Sequence, residues 1–320
     1  MEKPHWSQWI SDVLPGRVEK PRISGLTMVI DTGLPITMMR DIFQLAADHI
    51  DYWKFGFASA STCPPERMTD KVTLCQEYGI FAYPGGTSLE IVTVQGRWQE
   101  YLSMLWEGGI RAVEVSDGTI DLPLHTRRQI IRTAHKMGFT VFSEVGKKLA
   151  GSFMPVREQA QIIQGDLNSG ANYVIVEGRE AGRSIGVYDA DGNARDGDVQ
   201  DLLDAVGPQA TRIIWEAPLT KQQTYYLTKL GNRVNLGNIK PFEVTTLESL
   251  RRGFRSDTLR VGLGLTTEPA TRVEEGNGPG ADRPSIRLVD KRGAGPRPTL
   301  WTDSGIPPAS RDQWRGNIDH

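Results

Sequence analysis

The sequence predicts a single (β/α)8 barrel, and three observations carry that prediction. Eight short, β-branched apolar runs recur along the chain, and each is followed by a segment with the apolar period of a helix. Strands and helices alternating in this way build a parallel sheet. The third observation is size: 320 residues, 38% hydrophobic and 24% charged, suit one large core. An open doubly wound sheet is the competing fold, but it often carries a G-x-G-x-x-G turn after its first strand. Here Thr32-Gly33-Leu34-Pro35 follows instead.

The predicted strands are residues 26–31, 52–57, 80–83, 112–115, 140–144, 173–177, 213–216 and 234–236. Between them, residues 35–50 place Met39, Ile42, Phe43 and Ala46 at helical spacing behind Pro35. Residues 155–170 repeat the pattern with Ala160, Ile163 and Leu167 before Gly170 stops the helix. The remaining helices are predicted over 65–78, 94–108, 123–138, 198–206, 222–231 and 241–253. This makes residues 20–265 the barrel and 1–19 a short N-terminal lead.

A typical barrel of this kind needs about 250 residues, so the chain has a surplus. Most of it lies in residues 266–320, where seven Pro, seven Gly and scattered Arg and Asp show no apolar period. That composition predicts a flexible or loosely docked tail. Trp301 and Trp314 are its two apolar anchor candidates, or sporadic aromatics in a disordered extension.

Composition also excludes function classes. With 37 Lys and Arg against 39 Asp and Glu, the net charge is −2, so no global basic field draws the chain to nucleic acid or to an anionic membrane. The first twenty residues lack the apolar core of a signal peptide, and no apolar run approaches the roughly 20 residues of a membrane span. Cys63 and Cys75 are too few for a disulfide framework. A cytoplasmic protein is the expectation.

Barrel enzymes assemble their sites at the C-terminal ends of the strands. The polar residues there are Asp31, Lys54, the turn from Tyr83 to Thr87, Glu114 with Ser116 and Asp117, Glu144 with Lys147 and Lys148, Glu177 with Arg179, Glu216, and Asn235 with Asn238. Four acids, Asp31, Glu144, Glu177 and Glu216, would repel one another at one mouth unless a cation sits among them. All-oxygen ligation suits Mg²⁺; the alternative is that each carboxylate pairs with a neighbouring Lys or Arg. Lys54, Lys147, Lys148, Arg179 and Arg183 would then face a multiply anionic ligand, or form a solvated rim, the better account of Lys221. Gly85 and Gly86, and the Asn235, Gly237 and Asn238 turn, could offer backbone N–H groups to phosphate, or serve as plain tight turns. Asp191-Gly192 reads as a hairpin turn rather than a calcium loop. His49, His125 and His135 fall on helices away from the strand ends and receive no catalytic role.

Taken together, GLTMVID at 25–31, WKFG at 53–56, YPGGT at 83–87, VEVSDGT at 113–119, FSEVGKK at 142–148, EGRE at 177–180, WEAP at 215–218 and NLGNI at 235–239 resemble the phosphosulfolactate synthase family. The resemblance runs from about Lys20 to Leu259 and departs at Ala181, where the family usually has Ser. It implies a (β/α)8 barrel that adds sulfite to phosphoenolpyruvate with Mg²⁺, giving (2R)-2-phospho-3-sulfolactate, the entry to coenzyme M. It also implies compact homo-oligomers, trimers among them. By matching the family's motif, Lys147 is the first choice for the acid that protonates C2 and Lys148 the second. Three other readings stay open. One is another nucleophile acting on phosphoenolpyruvate. A second is a stress-associated binding protein without catalysis. A third is a Schiff-base aldolase using Lys54 or Lys147.

Overall fold

The computed structural model describes Trp6 and residues 9–148 and 154–265; the tail, with Trp301 and Trp314, lies outside them. Eight parallel strands form a nearly closed barrel: β1 (Thr27–Asp31), β2 (Tyr52–Phe55), β3 (Phe81–Pro84), β4 (Ala112–Val115), β5 (Thr140–Val145), β6 (Tyr173–Val176), β7 (Ile213–Glu216) and β8 (Asn235–Ile239). Their order is β3-β2-β1-β8-β7-β6-β5-β4. No helix among the described residues is long and apolar enough to cross a membrane.

Successive strand residues point to opposite faces, so each strand feeds two cores. Met28, Tyr52, Tyr83, Ala112, Phe142, Tyr173, Ile175 and Ile214 fill the barrel interior. Val29, Trp53, Val113, Val141, Val174, Trp215 and Leu236 face outward and meet the helices. On that outer side, α1 (Ile36–Ala46) buries Met39, Ile42, Phe43 and Ala46, and Phe43 meets Trp53 edge-on at 4.9 Å between ring centroids. Inside, Phe142 stands at the centre of an aromatic floor, with Tyr52 at 4.8 Å and Tyr83 at 5.1 Å.

The helices α2 (Ser59–Thr62), α3 (Pro65–Glu77), α4 (Gly86–Val94), α5 (Trp98–Glu107), α6 (Leu124–Lys136), α7 (Val156–Ser169), α8 (Asp196–Val206), α9 (Thr220–Leu230), α10 (Val244–Arg251) and α11 (Ser256–Gly262) complete the shell. Three of these, α2, α4 and α11, were not foreseen. The Gly85-Gly86 turn opens directly into α4, and α11 follows the predicted last helix. The expected hairpin at Asp191-Gly192 is present, with Tyr188 bridged antiparallel to Ala194.

β3 and β4 end the ladder at either side, and side chains span the seam between them. Glu114 of β4 accepts from Tyr83 Oη at 3.2 Å and from Gly86 N at 2.8 Å. At the other end of the barrel the segment before β1 is clamped on. Arg17 pairs with Glu248 at 2.9 Å, Arg22 with Asp51 at 2.9 Å, and Lys20 donates to the carbonyl of Ile50 at 2.7 Å.

Arg127 of α6 ties helices to strand ends. Fully buried, it donates to Asp166 of α7 at 2.7 Å, to Asp117 after β4 at 3.0 Å and to the carbonyl of Glu144 at 2.8 Å. Removing one partner of a buried ion pair strands the other's charge. Arg127→Ala is expected to cost about 3–5 kcal/mol, read as a lowered urea midpoint at unchanged slope.

Candidate active site

The side chains above the aromatic floor follow from strand parity. Residue two after Tyr52 is Lys54, two after Ala112 is Glu114, two after Phe142 is Glu144, two after Ile175 is Glu177 and two after Ile214 is Glu216, so all five point inward. Lys54 is 6% exposed, with Nζ 3.0 Å from Glu114, 3.1 Å from Glu216 and 3.8 Å from Glu144. Burial disfavours its charge, but these carboxylates and Tyr83 outweigh burial and hold the ammonium well above its ordinary value.

A second cation sits higher, toward solvent. Lys148 Nζ lies 2.8 Å from Glu144, 3.8 Å from Glu177 and 3.3 Å from Ser116 Oγ. Its side chain is 22% exposed, and the surrounding acids raise its affinity for its proton despite partial burial. Glu144 shows the reciprocal effect. Burial alone would raise it, yet Lys148 and Lys54 hold it well below the usual carboxylate range.

Glu144, Glu177 and Glu216 each offer an oxygen within 4.8 Å of the others. Glu216 Oε2 accepts the N–H groups of Gly178 and Arg179, both at 2.9 Å, and Glu177 Oε1 accepts Arg179 N at 2.6 Å. Arg179 reaches that position with φ 53, a left-handed conformation uncommon outside Gly and Asn. Glu177 Oε2 is buried and meets no hydrogen-bond donor. Burial, then Glu144 and Glu216, push the Glu177 carboxyl well above its ordinary value. Glu114 is likewise pushed up to about 7, by burial first, with Glu144 and Glu216 adding to it against Lys54 and Lys148. Five carboxylates, counting Glu90 of α4, are at most 2% exposed around two ammonium groups. The oxygens of Glu144, Glu177 and Glu216 are donors of the kind that a hard divalent cation takes.

Not every expected residue joins this cluster. Asp31 shares the parity of Val29 and faces outward, where Lys71 at 2.9 Å and Trp53 Nε1 at 3.1 Å occupy Oδ2 while Gly33 and Leu34 N occupy Oδ1. It therefore stands apart from the three glutamates. Lys147 turns away too, donating to the carbonyls of Asp117 at 2.8 Å and Ile120 at 3.1 Å, so the inward position belongs to Lys148. Asn235 begins β8 at the opposite end of the barrel and bonds the backbone of Leu26, Thr211 and Ile213. Gly85 and Gly86 spend their N–H groups on Phe55 and Glu114. Gly237 lies beside Glu216 in the ladder, and Asn238 ends at φ 52 with its Oδ1 buried and unpartnered. Asp117 is tied to Arg127, whereas Ser116 does reach the cluster. Arg179 and Arg183 lie on the loop after β6, with Arg183 exposed. Glu90 escaped prediction because it lies within a helix. Its only signal was a charge inside the apolar run Leu89 to Val92.

A parallel barrel with buried acids and lysines gathered at the C-terminal ends of its strands is the architecture of a barrel enzyme. The particular family follows from comparison with known proteins: residues 15–257 match the model of the (2R)-phospho-3-sulfolactate synthase (ComA) family, and the chain belongs to it. It is 38% identical to the phosphosulfolactate synthase of Methanothermobacter thermautotrophicus over 247 residues, covering 77% of this chain and 95% of that relative. Identity to the phosphosulfolactate synthase of Methanocaldococcus jannaschii is also 38%, over 73% of this chain and 93% of the other. For the Bacillus subtilis phosphosulfolactate synthase the figures are 34%, 77% and 96%.

Glu114 makes stability depend on pH in a definable window. Its folded carboxyl keeps its proton up to about pH 7, whereas in the unfolded chain the proton is lost near 4.5. Between those values the unfolded state binds fewer protons, so this group's contribution falls as pH rises, by up to about 1.4 kcal/mol per pH unit. Urea titrations from pH 4.5 to 7 are expected to show a shallower loss in Glu114→Gln than in the parent; parallel curves would remove the assignment.

Proposed function

We propose that the protein adds sulfite to phosphoenolpyruvate, giving (2R)-2-phospho-3-sulfolactate. Family membership supports the general reaction, and one observation carries the assignment of roles: Lys148 stands at the mouth directly against a three-carboxylate cradle. Both substrates are multiply anionic, and their approach requires fixed positive charge. Arg179 and Arg183, on the loop after β6, supply it at the rim. Sulfite's sulfur forms a bond to C3, the C2–C3 π pair moves onto C2 and its carboxylate, and Lys148 delivers a proton to C2. The phosphate stays on the C2 oxygen, and Lys148 regains its proton from solvent. Lys54, deep and compensated by three acids, holds the carboxylates in place rather than giving up its proton.

Mg²⁺ fits the cradle of Glu144, Glu177 and Glu216, since their oxygens converge and Glu177 Oε2 accepts no hydrogen bond. Bound there, it would stabilise the charge that develops on the carboxylate of the substrate. A cytoplasmic homo-oligomer, a trimer among the possibilities the family suggests, is consistent with this reading.

The reaction is followed by loss of enol absorbance in phosphoenolpyruvate with sulfite and Mg²⁺; no consumption with any divalent metal refutes the proposal. Lys148→Ala is expected to lower kcat by about 10²–10⁴-fold, the usual worth of a positioned acid, while Lys147→Ala stays within a few-fold. In calorimetric Mg²⁺ titrations, Glu177→Gln is expected to weaken binding by an order of magnitude or more. Asp31→Asn, outside the cradle, is expected to leave Mg²⁺ affinity intact.

A further inference from the structure

Glu90 approaches the cluster from a helix rather than a strand. It follows Gly86 by four residues in α4, and residues so spaced share a helix face. Gly86 draws that face inward. Its N–H bonds Glu114, and a Cβ there would lie 2.4 Å from Ser116 Cβ, so only glycine allows this approach. One turn on, Glu90 is 2% exposed, with Oε1 2.7 Å from Ser116 Oγ and 4.0 Å from Lys148 Nζ. Its Oε2 is buried and unpartnered.

Ser116 Oγ has more neighbours than one hydroxyl proton can serve. Glu90 Oε1 and Glu144 Oε1 both lie at 2.7 Å, while Lys148 Nζ at 3.3 Å and Gly118 N at 3.2 Å donate to its lone pairs. The stem of Lys148 lies across Gly118, where a Cβ would come within 2.9 Å of Cγ, Cδ and Cε. The lysine is thereby steered by a hydroxyl that is itself held between two carboxylates.

We propose that Glu90 is a positioning residue. Acting through Ser116, it fixes the Lys148 ammonium between Glu144 and Glu177, in line with the substrate carbon to be protonated. The inference rests on the reading of Lys148 as proton donor, and misplacement of a reacting group by about 1 Å can cost on the order of 10²-fold. Glu90 touches no substrate in this scheme, so its loss should act on kcat and spare KM.

The test is a double-mutant cycle on the full chain with Glu90→Gln, Ser116→Ala and the pair together. Glu90→Gln is expected to lower kcat at least tenfold with KM for phosphoenolpyruvate within threefold, and the double variant is expected to fall within threefold of the worse single one. In parallel, limited acylation with acetic anhydride is read by peptide mass spectrometry as Lys148 labelling relative to the half-exposed Lys240. That ratio is expected to change at least threefold in either single variant. Multiplicative losses in the cycle, a kcat within threefold of the parent, or an unchanged labelling ratio overturn the proposal. Should Glu90→Gln fail to fold, Ser116→Ala carries both readouts. A parent that consumes no phosphoenolpyruvate sinks the functional reading alone, and labelling then decides the positioning claim by itself.

Discussion

The constraint that organises this molecule is a charge imbalance in a place where water cannot correct it. Two lysines are enclosed with five carboxylates at the mouth of the barrel. In such surroundings a uncompensated charge costs several kcal/mol, so each acid has had to find positive charge, an N–H group or a proton. Glu144 takes both lysines, Glu216 takes Lys54 and two backbone N–H groups, and Glu114 takes Lys54, Gly86 N and the Tyr83 hydroxyl. Glu177 receives least, one N–H at Oε1 and a distant ammonium, so burial and then Glu144 and Glu216 push its carboxyl well above its ordinary value.

That arithmetic also explains why the backbone around the mouth is unusual. Gly178 offers its N–H to Glu216 from a position where a Cβ would come within 2.6 Å of the Glu216 carbonyl oxygen. Arg179 tolerates a left-handed φ to offer its own. Strain of this kind, of order 1–3 kcal/mol at a residue, persists where the surroundings over-determine it. Here the surroundings are two buried carboxylates, Glu177 and Glu216, that both accept the Arg179 N–H. Function and stability therefore draw on the same contacts at the end of β6.

Much of this was legible in the sequence, and the limits are instructive. The eight strands follow from short apolar runs, because a strand buried on both faces must be apolar on both. Parity within a run distinguishes inward Glu144 from outward Asp31, since Phe142 and Met28 mark the interior of their strands. Counting acids at strand ends without that parity groups Asp31 with the wrong set. The choice between Lys147 and Lys148 could not be read the same way. β5 ends at Val145 and Gly146 follows with φ 128, so alternation no longer predicts direction. Asn235 misled for a related reason: its strand begins there, which puts it at the closed end rather than the mouth. Glu90 and α4 were hidden by a Gly-Gly pair that reads as a turn but serves as the first residues of a helix pressed against β4.

The cluster is also graded in exposure, from Lys54 at the bottom to Lys148 at the mouth. At the bottom, Lys54 is enclosed by Glu114, Glu144 and Glu216, which hold its ammonium well above its ordinary value against burial. In the middle, the carboxylates are braced by backbone N–H groups, which cannot swing away as side chains can. Preorganised dipoles of this kind stabilise developing charge without paying for reorganisation during the reaction. At the top, the Lys148 side chain is 22% exposed, with its stem across Gly118 and its ammonium against Glu144 and Glu177. In the proposed reaction the donor recovers its proton from solvent, and Lys148 is the more exposed of the two ammonium groups in the cluster. The same sequence motif, Glu144-Val145-Gly146-Lys147-Lys148, thus carries a buried carboxylate and a partly exposed ammonium on one short segment, with Gly146 at φ 128 between them.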